Sequence, residues 1–227
     1  MLRVSGVSVS IGSVGILRGV DLAVGVGEFA GLIGRNGAGK TTLMRTIMGL
    51  LPCREGAVEF DGRPLGAVPT HARVALGIGY MPEDRRLVPG LTVEENVLLP
   101  AWSAGFPDTA ARLARVYEAI PEVQAFRGRK ALQLSGGQQK LVALARALMG
   151  GSRLLLLDEP FEGVAPVLAR RLAEVIAGLK RGGLTVILSE SSLTHVRELL
   201  DKVFEVDRGA VIPRAAGAPR ARAGRGA

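Results

Sequence analysis

The sequence predicts an α/β fold: a mostly parallel sheet under helices, with an antiparallel β piece and an inserted helical block. Three observations carry this. Short apolar runs of strand length recur at Glu28 to Ile33, Arg153 to Asp158, Leu184 to Leu188 and Val203 to Val206. Stretches with a helical period fall between them, and strands that alternate with helices pair in parallel beneath helical layers. From Val93 to Met149 the pattern turns mostly helical and interrupts that alternation.

Leu2 to Ile11 alternates apolar and polar residues and is rich in β-branched side chains, a strand pattern. Glu28 to Ile33 is a short apolar run that ends at a glycine, and Lys40 to Leu50 follows as a helix-like stretch. Arg54 to Leu65 holds Asp61-Gly62 between two β-like pieces, a hairpin signal. In the helical block, Asp108 to Ile120 carries Ala111, Leu113, Ala114, Val116 and Tyr117, and Gln138 to Met149 is rich in Ala and Leu. Arg153 to Asp158 then reads as a buried strand. Pro166 suits a first helical turn, and Val167, Leu168, Leu172, Val175, Ile176 and Leu179 form a stripe stopped by Gly182-Gly183. Leu184 to Leu188 is another strand, Leu193 to Leu200 a further helix, and Val203 to Val206 a last strand. No internal repeat interrupts this order.

At 227 residues, 48% hydrophobic and 22% charged, the chain has the balance of one globular domain. We place it at 1–212, with a core lobe at about 1–84 and 150–212 and a helical lobe at about 85–149. Mean hydropathy is +0.28, yet strictly apolar runs such as Leu154 to Leu157 fall far short of the roughly 18 residues a spanning helix needs. Met1 to Gly6 lacks the regions of a signal peptide, so we expect a cytosolic protein. Cys53 is the sole cysteine, which excludes an internal disulfide. The net charge is +8, and Arg214, Arg220, Arg222 and Arg225 of the Ala-, Gly- and Pro-rich tail at 213–227 account for half of it. A tail of that composition buries too little to fold. We read it as disordered and solvated, with no specific nucleic-acid partner.

Gly34-Arg35-Asn36-Gly37-Ala38-Gly39-Lys40-Thr41 matches the phosphate-binding loop of P-loop NTPases, in the required place between strand and helix. Its glycines let successive N–H groups point at phosphate oxygens, the helix adds its positive end, and Lys40 reaches the outer phosphates. Thr41 offers a hydroxyl to Mg²⁺, and Thr42 beside it belongs to the same nucleotide site. Leu154-Leu155-Leu156-Leu157-Asp158-Glu159 supplies the other half. A buried strand delivers Asp158 at its C-terminal end to hold Mg²⁺, and Glu159 polarises the attacking water. The expected cofactors are ATP and Mg²⁺.

Leu134-Ser135-Gly136-Gly137-Gln138 is a Ser-Gly-Gly turn that opens a helix, 23 residues before Asp158. In that place it resembles the signature motif of ABC ATPases, and the resemblance covers the chain from residue 2 to about 212. It implies that Ser135, Gly136, Gly137 and Gln138 close over a nucleotide held by a second ABC ATPase subunit. It also implies integral membrane permease subunits as partners, an extracytoplasmic solute-binding protein indirectly, and a peripheral place on the cytoplasmic membrane face. Gly79 to Arg86 followed by Leu91 to Asn96 resembles the connector between lobes, with Glu83 where most of the family has a metal-contacting glutamine. Glu83 and the run Asp158 to Pro166 are similar to one ATP-binding subunit of branched-chain amino-acid importers. A soluble ABC ATPase acting on ribosomes or nucleic acid is the alternative, supported by the basic tail alone.

Two positions depart from the family pattern. Ile11 stands where an adenine-stacking aromatic is usual, which implies weaker base recognition. Ser191, or Glu190 one residue earlier, stands where a histidine usually contacts the γ-phosphate, and His195 reads as a surface residue. The resemblance therefore implies that one composite site of a heterodimer is the weaker.

Overall fold

The computed structural model describes residues 1–214. A six-stranded sheet runs in the order β10 (Ala210–Arg214), β9 (Lys202–Asp207), β3 (Phe29–Ile33), β8 (Thr185–Glu190), β7 (Leu154–Asp158), β6 (Ile78–Met81). From β9 to β6 every pair is parallel, and β10 adds an antiparallel edge. A second sheet, wholly antiparallel, has the order β2 (Val14–Val24), β1 (Leu2–Ile11), β4 (Glu55–Phe60), β5 (Arg63–Pro64). The β4–β5 turn is Asp61-Gly62, with φ of 51° and 73°, the double positive φ that a two-residue hairpin turn needs.

The helices are α1 (Lys40–Ile47), α2 (Thr70–Ala75), α3 (Val93–Ala104), α4 (Thr109–Ala119), α5 (Pro121–Ala125), α6 (Gly136–Gly150) and α7 (Pro166–Arg181). Helices α3 to α6 form the inserted block. Pro166 is the first residue of α7, where its missing N–H costs nothing.

Two cores meet on the parallel sheet, and β7 shows how. Leu155 and Leu157 belong to the core shared with α3, α6 and α7, while Leu154 and Leu156 belong to the core shared with α1 and the antiparallel sheet. All four are fully buried, as a strand covered on both faces requires. The strand thus reaches Asp158 with no freedom to slide.

A buried guanidinium joins α1 to the antiparallel part. Arg73 of α2 is 5% exposed and donates to the carbonyls of Val68 (3.0 Å), Leu65 (2.6 Å), Thr46 (3.2 Å) and Ile47 (2.5 Å). The last two carbonyls end α1, where intrahelical donors run out and negative partial charge collects. Gly49 leaves the room: a Cβ there would lie 2.6 Å from the guanidinium carbon.

Two expectations need correction. Leu193 to Leu200 is not a helix but a turn followed by one 3₁₀ turn at Arg197–Leu199. The segment is too short to repay helix nucleation alone. The Ser192 and Thr194 hydroxyls bond each other at 3.0 Å, and Lys180 Nζ takes the Leu199 carbonyl at 2.7 Å. The basic tail also begins later than 213, because Pro213 and Arg214 pair with Phe204 and Val203 in the sheet. The rest of that tail lies outside the described residues.

Candidate nucleotide site

Strand β3 runs into the loop at 34–39, which runs into α1. Gly34 donates its N–H to the Glu190 carbonyl at 3.1 Å, and a Cβ on it would stand 2.2 Å from the Val206 carbonyl oxygen. The first glycine of the motif is thus demanded by the neighbouring strand. Gly37 and Gly39 take φ of 81° and 116°, and Gly39 caps α1. Arg35, Asn36 and Gly37 are exposed at the loop tip, Ala38 and Gly39 are buried, and Thr41 and Thr42 are half-buried.

Lys40 is 3% exposed. Its ammonium donates to the carbonyls of Gly34 (2.7 Å) and Arg35 (3.1 Å) and pairs with Glu159 Oε1 at 2.9 Å. The Thr41 hydroxyl donates to Asp158 Oδ1 at 3.1 Å. Asp158 also accepts from Ser189 Oγ at 2.7 Å and from the Tyr80 hydroxyl at 3.1 Å. Full burial pushes the Asp158 carboxyl above its ordinary range, and these three donors pull the other way. Glu159 has φ of 48°, a left-handed backbone unusual for a non-glycine residue. Its N–H is held by Ser189, at 3.0 Å to the hydroxyl and 3.2 Å to the carbonyl. Lys40, Thr41, Asp158 and Glu159 therefore converge in one bonded set.

Ser135 begins the other half. It caps α6 in a reciprocal box: its hydroxyl accepts from Gln138 N at 3.3 Å, and Gln138 Oε1 accepts from Ser135 N at 3.1 Å. Ser135 and Gly136 are exposed, Gly137 and Gln138 half-buried. They line an open groove with Glu83, Arg85 and Glu162, and no residue of the 34–42 loop lines it. Arg85 donates to the Gly136 carbonyl at 3.1 Å. The two motifs of one chain thus line different spaces.

Glu83 and Ser191 are exposed and stand outside the bonded set around Asp158. Ile11 ends β1 at 51% exposure, opposite Val14. His195 stacks on the Phe161 ring, centroids 5.4 Å apart. Sequence reasoning missed Tyr80, Ser189 and Lys140. Ser189 lies opposite Asp158 in the parallel register and Tyr80 opposite Leu156, so only knowledge of the pairing exposes them.

Oxygen donors suit Mg²⁺, and the Thr41 hydroxyl and Asp158 carboxylate are such donors side by side. Among the described residues no three His, Cys, Asp or Glu side chains converge as a metal cage. A magnesium ion completed by phosphate oxygens and water requires none.

The sequence pattern of the ABC transporter family matches residues 17–162. The chain belongs to the ABC transporter family. Among ABC relatives, the high-affinity branched-chain amino acid transport ATP-binding protein BraG of Pseudomonas aeruginosa is 34% identical, covering 96% of this chain and 94% of its own. The lipopolysaccharide export system ATP-binding protein LptB of Haemophilus influenzae is 32% identical, over 87% of this chain and 83% of its own. A solved structure of the ABC transporter cassette MJ0796, a dimer, superposes with a TM-score of 0.85 at 27% identity, covering 96% of this chain and all of that one. This ABC chain is accordingly an ATP-binding, ATP-hydrolysing subunit of a transporter.

Proposed function

We propose that this ABC ATPase powers an importer for branched-chain amino acids or a related small solute, docked on separate membrane subunits at the cytoplasmic face. The observation that carries its chemistry is the convergence of Lys40, Thr41, Asp158 and Glu159 below the loop at 34–39. The similarity to BraG supports the solute class.

In this reading Gly34 to Gly39 wrap the phosphates with main-chain N–H groups, and the Lys40 ammonium turns from Glu159 to the phosphate charge. Thr41 and Asp158, and Glu83 of the connector as a further oxygen donor, would hold Mg²⁺, which would neutralise charge on the phosphates. Glu159 orients a water and takes its proton as the water oxygen bonds the γ-phosphorus and the bond to the ADP oxygen breaks. Ser135, Gly136, Gly137 and Gln138 of a second subunit cover the same phosphates. Ser191, the residue after β8, would meet the γ-phosphate side.

A groove of about 290 Å³ runs between the lobes. Arg45, Leu50, Val74, Tyr80, Pro100 and Arg146 are among its walls, an apolar floor with a basic rim. In this reading it would take a short segment of a membrane partner, and Tyr80, which also touches Asp158, would connect docking to the site.

The test is Mg²⁺-dependent ATP hydrolysis by the purified chain, alone and with partners captured from membranes. We expect a second ATPase and polytopic membrane proteins in the captured complex, and faster hydrolysis with them. Vesicles holding that complex should take up branched-chain amino acids on ATP. Capture of ribosomes or nucleic acid without membrane proteins would overturn the transport assignment, and outward movement of a lipid would overturn the importer.

A further inference from the structure

Lys140 lies in α6, one turn beyond the Ser135 cap, and is 5% exposed. No motif-based role in the site falls to it. Its ammonium donates to two carbonyls, Glu159 at 3.0 Å and Glu162 at 2.5 Å. These carbonyls bracket the turn that carries the Glu159 carboxylate, a turn closed by Glu162 N–H on the Glu159 carbonyl at 3.2 Å. From the other side, Glu190 Oε1 accepts the Phe161 N–H at 3.0 Å, and Ser189 holds the Glu159 N–H. The main chain of the turn is thus gripped by β8 on one side and by α6, through Lys140 alone, on the other.

Burying an ammonium is expensive unless its donors are satisfied. A residue needed only to fill this space would be served by Leu or Met. What the lysine adds is direction: two charge-assisted hydrogen bonds that fix a left-handed Glu159 against a helix. The start of the same helix is the turn that the proposed function sets against a partner's nucleotide.

We propose that Lys140 is a positioning residue that ties the Glu159 turn to the helix beginning at Ser135, so that seating this helix on a partner's nucleotide sets the carboxylate serving the chain's own. The proposal rests on Glu159 being the residue that activates water. Lys140 touches no reacting atom; it acts through the main chain of Glu159 and Glu162.

The test compares Lys140→Met, of similar volume without donors, with Lys140→Gln, which keeps an amide donor. ATP hydrolysis and thermal unfolding are measured for both. We expect Lys140→Met to lower kcat about tenfold with KM for ATP within about twofold, because displacement of an aligned group by a fraction of an ångström costs rate rather than binding. Lys140→Gln should recover part of that loss at equal or lower Tm. Unchanged kcat in Lys140→Met overturns the proposal, as does a KM rise that accounts for the whole effect. If Lys140→Met does not fold, Lys140→Ala, which also lacks a donor, is read against the wild type: a lowered kcat at unchanged KM supports positioning, and wild-type kcat overturns it. Glu159→Gln is assayed beside them. Full turnover there removes the reading of Glu159, whereas a dead Glu159→Gln beside a fully active Lys140→Met removes the positioning role only.

Discussion

Glu190 ends β8 with a 7% exposed side chain, near enough to Glu159, Lys140 and Lys40 to feel their charges. Burial outweighs the lysines and the Phe161 hydrogen bond, and pushes its carboxyl up to about 7. Folding therefore favours the protonated acid. Its contribution is fully present below the ordinary value of 4.5 and is lost as pH rises through about 7. Glu190→Gln keeps an acceptor for the Phe161 N–H and never ionises. We expect it to be more stable than wild type by ~2 kcal/mol above pH 8, with the gap closing below about pH 5. Denaturant titrations at several pH values check this; a gap independent of pH would contradict it. At this scale the sequence is readable where a motif fixes spacing, as at Gly34 to Thr41 and Asp158-Glu159. It is unreadable where a partner arrives from another strand, because the roles of Ser189, Glu190 and Lys140 depend on register and on a turn whose shape no pattern announces.

Helix α3 opens the inserted block with a full capping box. The Thr92 hydroxyl accepts from Glu95 N at 3.2 Å, and Glu95 Oε2 accepts from Thr92 N at 2.7 Å. The Thr92 hydroxyl also donates to that carboxylate at 2.8 Å. These bonds hold the Glu95 carboxyl below its usual range. Thr92→Ala removes the two bonds of the hydroxyl, keeps the main-chain one, and should cost ~1 kcal/mol, a fall in Tm of about 2–4 °C, with kcat unchanged. A differential scan beside an ATPase assay reads both. Elements with their own signals were legible: the alternating Leu2–Ile11 strand, Pro166 opening α7 and the Asp61-Gly62 hairpin all stand where the pattern puts them. Strand β2 went unread because residues 12–19 hold three glycines and little alternation, and its pairing with β1 is broken by register shifts. Leu193 to Leu200 misled because its apolar spacing is helical, while its actual contacts are tertiary: Val196 is wholly buried beneath a turn.

At the scale of the molecule, the phosphate loop and the Ser135 turn open on different spaces, so the reading of the site requires two subunits. Glu159→Gln should then bind ATP, lose hydrolysis by about 10²-fold or more, and accumulate as an ATP-bound pair of subunits. Gel filtration with and without ATP, beside a phosphate-release assay, gives both numbers; undiminished release would remove Glu159 from its role. The parallel sheet and the inserted helical block could be anticipated from the alternation of elements. The antiparallel sheet could not be drawn whole, since its four strands come from two segments separated by the phosphate loop and α1. Arg73 and Gly49 tie the end of α1 to the loop after β5, and the history of such a chain is constrained by them. Any side chain gained at 49 meets the guanidinium, and any residue replacing Arg73 first takes the side-chain donor from the Val68 and Ile47 carbonyls, while Thr46 and Leu65 keep the N–H groups of Gly49 and Val68. Neither order of single changes is neutral for the fold, so the two positions should change as a pair.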